Sequence, residues 1–304
     1  MSDYCIISRL NKYSGFFSMF FFFVNHYIHA KKNNWDFELN CHEWLFKAFN
    51  GWEDYFENID IVRNLENEPK KITAELNKTF IEYSIEEYKN VLPEIYKYND
   101  RIKSLIEKRK KKLKLKNYNY SSIFIRRGDK LLSESNYIHG EVYIKKLLEL
   151  NPSCKTVYLQ TDDYTCFNEI NEYIKKEKLN IKLLTMCEEN CKGIISFSYH
   201  KNSLVNEENY SIDKNVEYLK NNKESFINSK PVDEMNSEEI YLHTIKMIIG
   251  IELVLQSNLV VTDYSSNVAR FIKLMHVDND CVYDVITDTN ELDYEKVICP
   301  SWGF

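Results

Sequence analysis

The chain has 304 residues, 44% of them hydrophobic and 28% charged, with a formal net charge of -6. That balance fits a folded globular chain of about two domains. It excludes a chain built as a whole to grip nucleic acid or an anionic membrane.

Eight cysteines are present: Cys5, Cys41, Cys154, Cys166, Cys187, Cys191, Cys281 and Cys299. Most lie in apolar segments, which suits reduced thiols. Cys187 and Cys191 form the one close pair, but their spacing is not that of a zinc knuckle and no second pair answers them, so no metal site is expected. Three glycosylation sequons, at Asn77, Asn119 and Asn209, are what an Asn-rich chain produces by chance. No signal peptide is evident, and the apolar run Phe16 to Val24 is about half of the roughly 20 residues a transmembrane helix needs. A cytoplasmic protein without a membrane span is therefore expected.

In chain order, Tyr4 to Ser8 reads as a strand and Asn11 to Gly15 as a turn, followed by a helix from Phe16 to Ala30 that is apolar nearly all round and hence buried. Gly15 sits where a ligand's close approach and a plain turn would both use glycine. Trp35 to Leu39 alternates as a second strand, which completes a βαβ unit. Thr79 to Leu115 reads as one helix. It ends in a basic run, Lys108 to Lys116, which suits a solvated helix C-terminus; aromatic interleaving is missing, so nucleic acid is not an expected partner. A second α/β unit follows: strand Ser122–Ile125, helix Gly140–Leu150, strand Thr156–Leu159, helix Tyr164–Glu177 and strand Ile181–Thr185. Gly193 to Ser237 is polar and irregular, a candidate acceptor-recognition segment or lid. Helix Glu238–Gln256, strand Leu259–Val261 and helix Val268–Met275 complete the pattern. The tail from Glu291 to Phe304 is expected to pack on the first domain.

The most telling stretch is Ser121 to Lys130, an apolar strand that ends in Arg126-Arg127-Gly128-Asp129-Lys130, with Glu134 four residues on. In open α/β sheets ligands sit at the C-terminal strand edge, and arginine's planar donors suit phosphate oxygens. Ser265-Ser266-Asn267 precedes a helix and offers a second anion site, although each residue is equally an ordinary cap. Asp162-Asp163, at another strand end, suits salt bridges to Arg126 and Arg127 better than a metal. Arg127-Gly128-Asp129 is an adhesion tripeptide by letters only, since a buried strand precedes it. His139 and His243 read as structural.

Taken together, the Arg-Arg loop with Glu134, Thr161-Asp162-Asp163, and Ser265-Ser266-Asn267-Val268-Ala269-Arg270 resemble the three motifs of α1,6-fucosyltransferases and the related NodZ-type enzymes. Gly15 with its apolar helix, Trp44 and Gly51-Trp52-Glu53 resemble that family's N-terminal half. The resemblance implies a two-domain, GT-B-like α/β glycosyltransferase, with an N-terminal α/β domain over 1–118 and a Rossmann-like donor domain over 119–304. It also implies GDP-fucose as donor, a glycan or glycoconjugate acceptor, and no metal or other cofactor. By position, Arg126 would hold the donor diphosphate, with Arg127, Asp129 and Lys130 completing the loop. Lys130 would lie beside the chemistry and Glu134 would take the acceptor's proton. Asp162 and Asp163 would form the second motif. Ser265, Ser266 and Asn267 would approach the β-phosphate, Arg270 would complete the third motif, and Gly15 would let the donor come close. Phe124 and Gly250 stand where the family has guanine-reading side chains, so the expectation is that GDP binds less than roughly tenfold tighter than UDP. The alternatives are a transferase for a UDP- or dTDP-linked deoxysugar, and a non-catalytic glycan- or nucleotide-sugar-binding protein.

Overall fold

A computed structural model describes residues 4–60, 70–73, 83–132, 134–206 and 215–291. The chain divides into two compact units: Met1–Leu105 with Asn236–Ile245, and Ile106–Met235 with Lys246–Phe304. The sequons at Asn77 and Asn209, Cys299 and the tail after residue 291 lie outside the described residues.

The first unit holds a parallel three-stranded sheet, β2-β1-β3, made of β1 (Tyr4–Arg9), β2 (Asp36–Asn40) and β3 (Lys70–Thr73). Between β1 and β2 runs α1 (Phe16–Asn33). Phe16, Phe17, Phe20 and Phe23 of α1 are buried. Phe16 packs on Trp44 and Phe46, and Phe23 meets Trp52 edge-on at 5.0 Å. This aromatic core is why α1 can be apolar on every side without crossing a membrane; no helix among the described residues is long and apolar enough to do so. The helix ends at Asn34, in the left-handed conformation that Asn tolerates, with its N–H on Ala30 and Lys31 carbonyls.

The single helix expected over 79–115 is instead two, α2 (Ile85–Ile95) and α3 (Asp100–Leu113), and 79–82 lie outside the described residues. Ser84 and Glu87 cap α2 reciprocally. Pro93 weakens its last turn, Tyr96 packs on Phe56 at 4.7 Å, and Asn99 accepts from the Ile102 N–H to start α3. A cap residue and an aromatic anchor thus override a continuous helical pattern. At the basic end of α3, Lys108, Lys111 and Lys112 are exposed as expected, while Lys110 is half-buried and pairs with Glu107 at 2.8 Å.

The second unit is a five-stranded, all-parallel sheet of order β6-β5-β4-β7-β8: β4 (Ser121–Ile125), β5 (Thr156–Thr161), β6 (Lys182–Thr185), β7 (Val260–Thr262) and β8 (Val282–Asp284). Its helices are α4 (Gly140–Leu150), α5 (Tyr164–Lys176), α6 (Ser198–Asn206), α7 (Val216–Asn221), α8 (Lys223–Asn228), α9 (Ser237–Leu255, which begins among the first unit's residues) and α10 (Asn267–Met275). All five residues of β4 are buried, as for a central parallel strand covered on both faces. Ile123, Ile125, Val157, Leu159 and Val261 meet Tyr143, Ile144 and Leu147 of α4 and Ile170 of α5 in one core. Strand β8 has too few residues to show an alternating pattern, and the sequence reading passes over it.

The strand order matters for function. From β4 the chain builds outward to β5 and β6, then returns to add β7 and β8 on the other side. The order reverses between β4 and β7, and in such sheets the crevice beyond that reversal is the ligand-binding position. Arg126 follows β4 and Ser265 follows β7, so two motifs flank the reversal point. The strand ends are tied there by Thr262, whose hydroxyl donates to the Phe124 carbonyl at 3.1 Å.

Candidate functional site

Arg126 lies at the C-terminal end of β4 with its side chain 16% exposed. Its Nη1 donates to the Arg127 carbonyl at 3.0 Å and pairs with Asp162; its Nη2 donates to Asp129 Oδ1 at 3.0 Å. Guanidinium carries five donors. The Nε–H and one Nη2–H make no hydrogen bond among the described residues, and such donors suit the oxygens of a carboxylate or phosphate. Asp129 and Asp162 thus orient the fork and leave donors unused. Burial alone would raise the Asp129 carboxyl, but Arg126, His200 and Lys130 hold it well below the usual carboxylate range. Its Oδ2 accepts from the Ser196 N–H at 2.7 Å and lies 3.2 Å from His200 Nδ1.

Arg127 does something different. It is 1% exposed and makes no surface. Its guanidinium donates to Glu169 at 2.7 and 3.0 Å, to Asp163 at 3.2 Å and to the Ile138 carbonyl at 3.1 Å. The ring of Tyr137 stacks on it with its centroid 4.4 Å away, and Tyr218 donates to Asp163. Asp163 is fully buried and caps α5 through the Thr165 N–H. The placement of Arg127 and Asp163 on the donor is corrected by this burial: both brace the loop from inside. Asp162 also turns inward, accepting from the Arg127 and Ile194 N–H groups. The pairing of Asp162 and Asp163 with Arg126 and Arg127 is as the sequence reading has it.

Lys130 and Glu134 form an i,i+4 pair at 2.6 Å, their side chains 27% and 24% exposed. The loop that carries them is held by Asn215, which is fully buried. Asn215 donates to the Leu131 and Ser135 carbonyls at 2.7 and 2.8 Å and accepts from the Tyr137 N–H at 2.6 Å. Leu131 and Leu132 bury into Leu204 of α6, Leu219 of α7 and Phe226 of α8. The polar segment Gly193–Ser237 is therefore, in its described parts, the packing support of the loop that carries Lys130 and Glu134.

At the third motif, Ser266 caps α10 by accepting from the Ala269 N–H at 3.2 Å. Ser265 donates its N–H and hydroxyl to Asp263 at 2.8 and 2.7 Å. Arg270 does not face outward: it donates to the Tyr264 and Ser265 carbonyls and to Asn267 Oδ1 and braces the turn. Burial, with Asp284 adding to it, pushes the Asp263 carboxyl up against those Ser265 hydrogen bonds. Gly15 belongs to the first unit; it has φ -63 and ψ 161, and a Cβ there would meet only Ser18 at 3.9 Å, so nothing in its surroundings demands glycine. A separate cleft of about 330 Å³ in the first unit is lined by Glu38, Lys47, Asp60 and by Trp52 and Glu53 of the Gly51-Trp52-Glu53 motif, and no residue of the Arg126, Asp162 or Ser265 motifs lines it. No group of three or more His, Cys, Asp or Glu among the described residues is placed to hold a metal ion.

Four contributors carry no motif: Glu169, Asn215, His200 and Gly193. Gly193 has φ +104, and a Cβ on it would lie 2.4 Å from Gly128 Cα. Gly128, with φ +68, would place a Cβ 2.3 Å from the Ile194 carbonyl oxygen. The two loops meet backbone to backbone, with Gly193 N–H on the Asp162 carbonyl and Asp129 N–H on the Ile194 carbonyl. Gly193→Ala is expected to cost about 2–3 kcal/mol from backbone strain and overlap. Thermal unfolding beside nucleotide affinity checks this, and an unchanged Tm would show that the two loops part without cost.

No protein-family model matches the chain, and no curated protein matches it in sequence. Solved structures do match. A NodZ α-1,6-fucosyltransferase crystal soaked with GDP-fucose aligns at TM-score 0.54 and 10% identity, over 95% of this chain and 97% of that one. A selenomethionine NodZ fucosyltransferase from Bradyrhizobium aligns at TM-score 0.50 and 11% identity, over the same shares. The chain therefore has the α/β, GT-B-like fold of NodZ along nearly its whole length.

Proposed function

We propose that the chain is a glycosyltransferase that moves a fucosyl group from GDP-fucose to a glycan or glycoconjugate hydroxyl, with inversion and without a metal. The observation that carries this reading is the Arg126 guanidinium, with its Nε–H and one Nη2–H unused among the described residues, at the strand-order reversal where α10 begins. The fold shared with a protein whose crystal was soaked with GDP-fucose supports it. In this reading the diphosphate takes Arg126's unused donors, and the first-turn N–H groups of α10 add their positive end. The acceptor oxygen attacks the anomeric carbon from the face opposite the diphosphate. The new C–O bond forms as the bond to phosphate breaks, and the negative charge passes to oxygens that Arg126 contacts. Fixed donors aimed at developing charge do this work without a metal. Glu134 takes the acceptor's proton, and Lys130 holds its carboxylate in one orientation.

The test is release of GDP from GDP-fucose with a glycan acceptor, run in EDTA with parent and Glu134→Gln. The parent is expected to turn over. The variant keeps shape and loses basicity, so kcat should fall by about 10²–10⁴-fold with GDP affinity nearly unchanged. Activity lost to EDTA and restored by Mg²⁺ would overturn metal independence. A variant that keeps kcat and loses affinity would make Glu134 a binding residue.

A further inference from the structure

We propose that Cys187 and Cys191 form a redox-active dithiol that exchanges with small-molecule disulfides of the glutathione class and, once oxidised, fastens the segment that braces the Arg126 loop. The pair is the one close pair of cysteines in the sequence, and the nucleotide-sugar reading makes no use of it.

Thiols at i and i+4 of an irregular segment meet only if the chain between them turns back. After β6 the Cys187 N–H donates to Thr185 Oγ1 at 3.0 Å, and the Glu188 carbonyl accepts from the Cys191 N–H at 2.9 Å. That turn brings the Cys187 thiol into hydrogen-bond contact with the Cys191 sulfur. Both cysteines are half-buried, while Glu188, Glu189 and Asn190 at the tip are exposed, so a small disulfide can reach them.

The surroundings give the two thiols different tasks. The hydrogen bond from Cys187 outweighs burial and lowers the Cys191 thiol to about 6. Burial instead pushes Cys166 up to about 12 and Cys41 and Cys281 up to about 11. The thiolate is the nucleophile, and attack is fastest from a thiol that titrates near ambient pH. Cys191 is therefore the attacking group. Its thiolate bonds to one sulfur of oxidised glutathione, that disulfide breaks, and one glutathione leaves as thiolate. Capping Cys191 removes the hydrogen bond that holds the Cys187 thiol up. Cys187 then loses its proton to solvent, attacks the Cys191 sulfur and releases the second glutathione. Two protein thiols are oxidised and one glutathione disulfide is reduced.

The pair stands at the root of a brace. The Cys191 carbonyl accepts from the Tyr164 N–H at 2.9 Å. The Ile194 N–H donates to Asp162 Oδ2 at 3.0 Å, and the Ile194 carbonyl accepts from the Asp129 N–H at 3.1 Å. A cross-link takes more freedom from the opened form of such a segment than from its closed form, so it favours closure.

The experiment treats the full chain with oxidised glutathione at neutral pH, alkylates the free thiols and maps the peptides by mass. The parent should lose alkylation at both cysteines and gain one disulfide between them, which dithiothreitol reverses. Cys187→Ser should stop at a glutathionyl group on Cys191. Cys191→Ser should react at Cys187 roughly tenfold more slowly. Hydrogen exchange at the Gly193 and Ile194 amides should slow severalfold in the oxidised parent and stay unchanged in the treated Cys187→Ser/Cys191→Ser double variant. Free thiols at both positions after treatment, or a parent adduct on Cys191 that never closes, would overturn the dithiol. Unchanged exchange in the oxidised parent would overturn the fastening. Neither result bears on the nucleotide-sugar reading, which GDP release tests separately.

Discussion

Arg126→Ala is expected to abolish measurable transfer and to weaken GDP binding by at least about a hundredfold, the scale on which one fixed donor to developing charge acts. Two donors act here at once. The alanine variant also strips the cation from Asp129 and Asp162, which are both buried, so its Tm should fall as well. Arg126→Lys separates the two effects. It keeps a positive charge for the carboxylates and hence the fold, but an ammonium has no side-on pair of parallel donors. Its Tm should lie near the parent's while turnover stays close to that of Arg126→Ala. Full activity in Arg126→Lys would mean that charge alone, and not the fork, serves the site.

Arg127→Met should unfold the second unit more readily than any other single change in the motif. The methionine fills the space but leaves Asp163 and Glu169 buried without their cation. Breaking one partner of such a cluster costs about 3–5 kcal/mol. The pH dependence gives a sharper signature. In the parent, burial raises the Glu169 carboxyl, but Arg127, Tyr137 and the Gly140 N–H outweigh it and hold the group below its ordinary value. A carboxyl lowered by folding contributes stability that is present above its unfolded value and is lost as pH falls through its folded one. Parent stability should therefore fall on acidification below about pH 4. In Arg127→Met the Glu169 carboxylate, desolvated and without its cation, favours protonation, so stability should rise as pH falls from about 7 to 5. Urea unfolding of both proteins across that range reads the two slopes directly. Parallel slopes would show that the cluster does not depend on Arg127.

The contrast between these neighbouring arginines shows what the sequence holds and what it hides. The run Ser121–Ile125 declares a buried parallel strand, and a strand's end is where such sheets bind ligands, so the place was legible. The division of labour was legible in principle too. Successive side chains of an extended segment point to opposite sides, so Arg126 and Arg127 do not both face one ligand. What was not legible is the set of partners. Glu169 is 42 residues from Arg127, and Asn215 is 84 from Leu131. Neither sits in a pattern that distinguishes it from a surface residue. Gly193 reads as a loop glycine until the facing backbone of Gly128 is seen. The helices α6, α7 and α8 are too short and too polar to impose a 3.6-residue period. Their apolar contribution, Leu204, Leu219 and Phe226, is scattered among Asn, Lys and Ser. The split of the long helix at Asn99 had a visible signal, an Asn cap after an aromatic pair, that a count of periodic positions passes over.

In the proposed function the diphosphate of a nucleotide-sugar donor sits at the strand-order reversal, between the end of β4 and the start of α10. A crystal structure of the chain with GDP tests it most directly. Phosphate oxygens are expected at about 2.7–2.9 Å from Arg126 Nε and Nη2, with the first-turn N–H groups of α10 facing the β-phosphate. GDP bound elsewhere in the ordered protein, with Arg126 still satisfied by Asp129 and Asp162 alone, would contradict it.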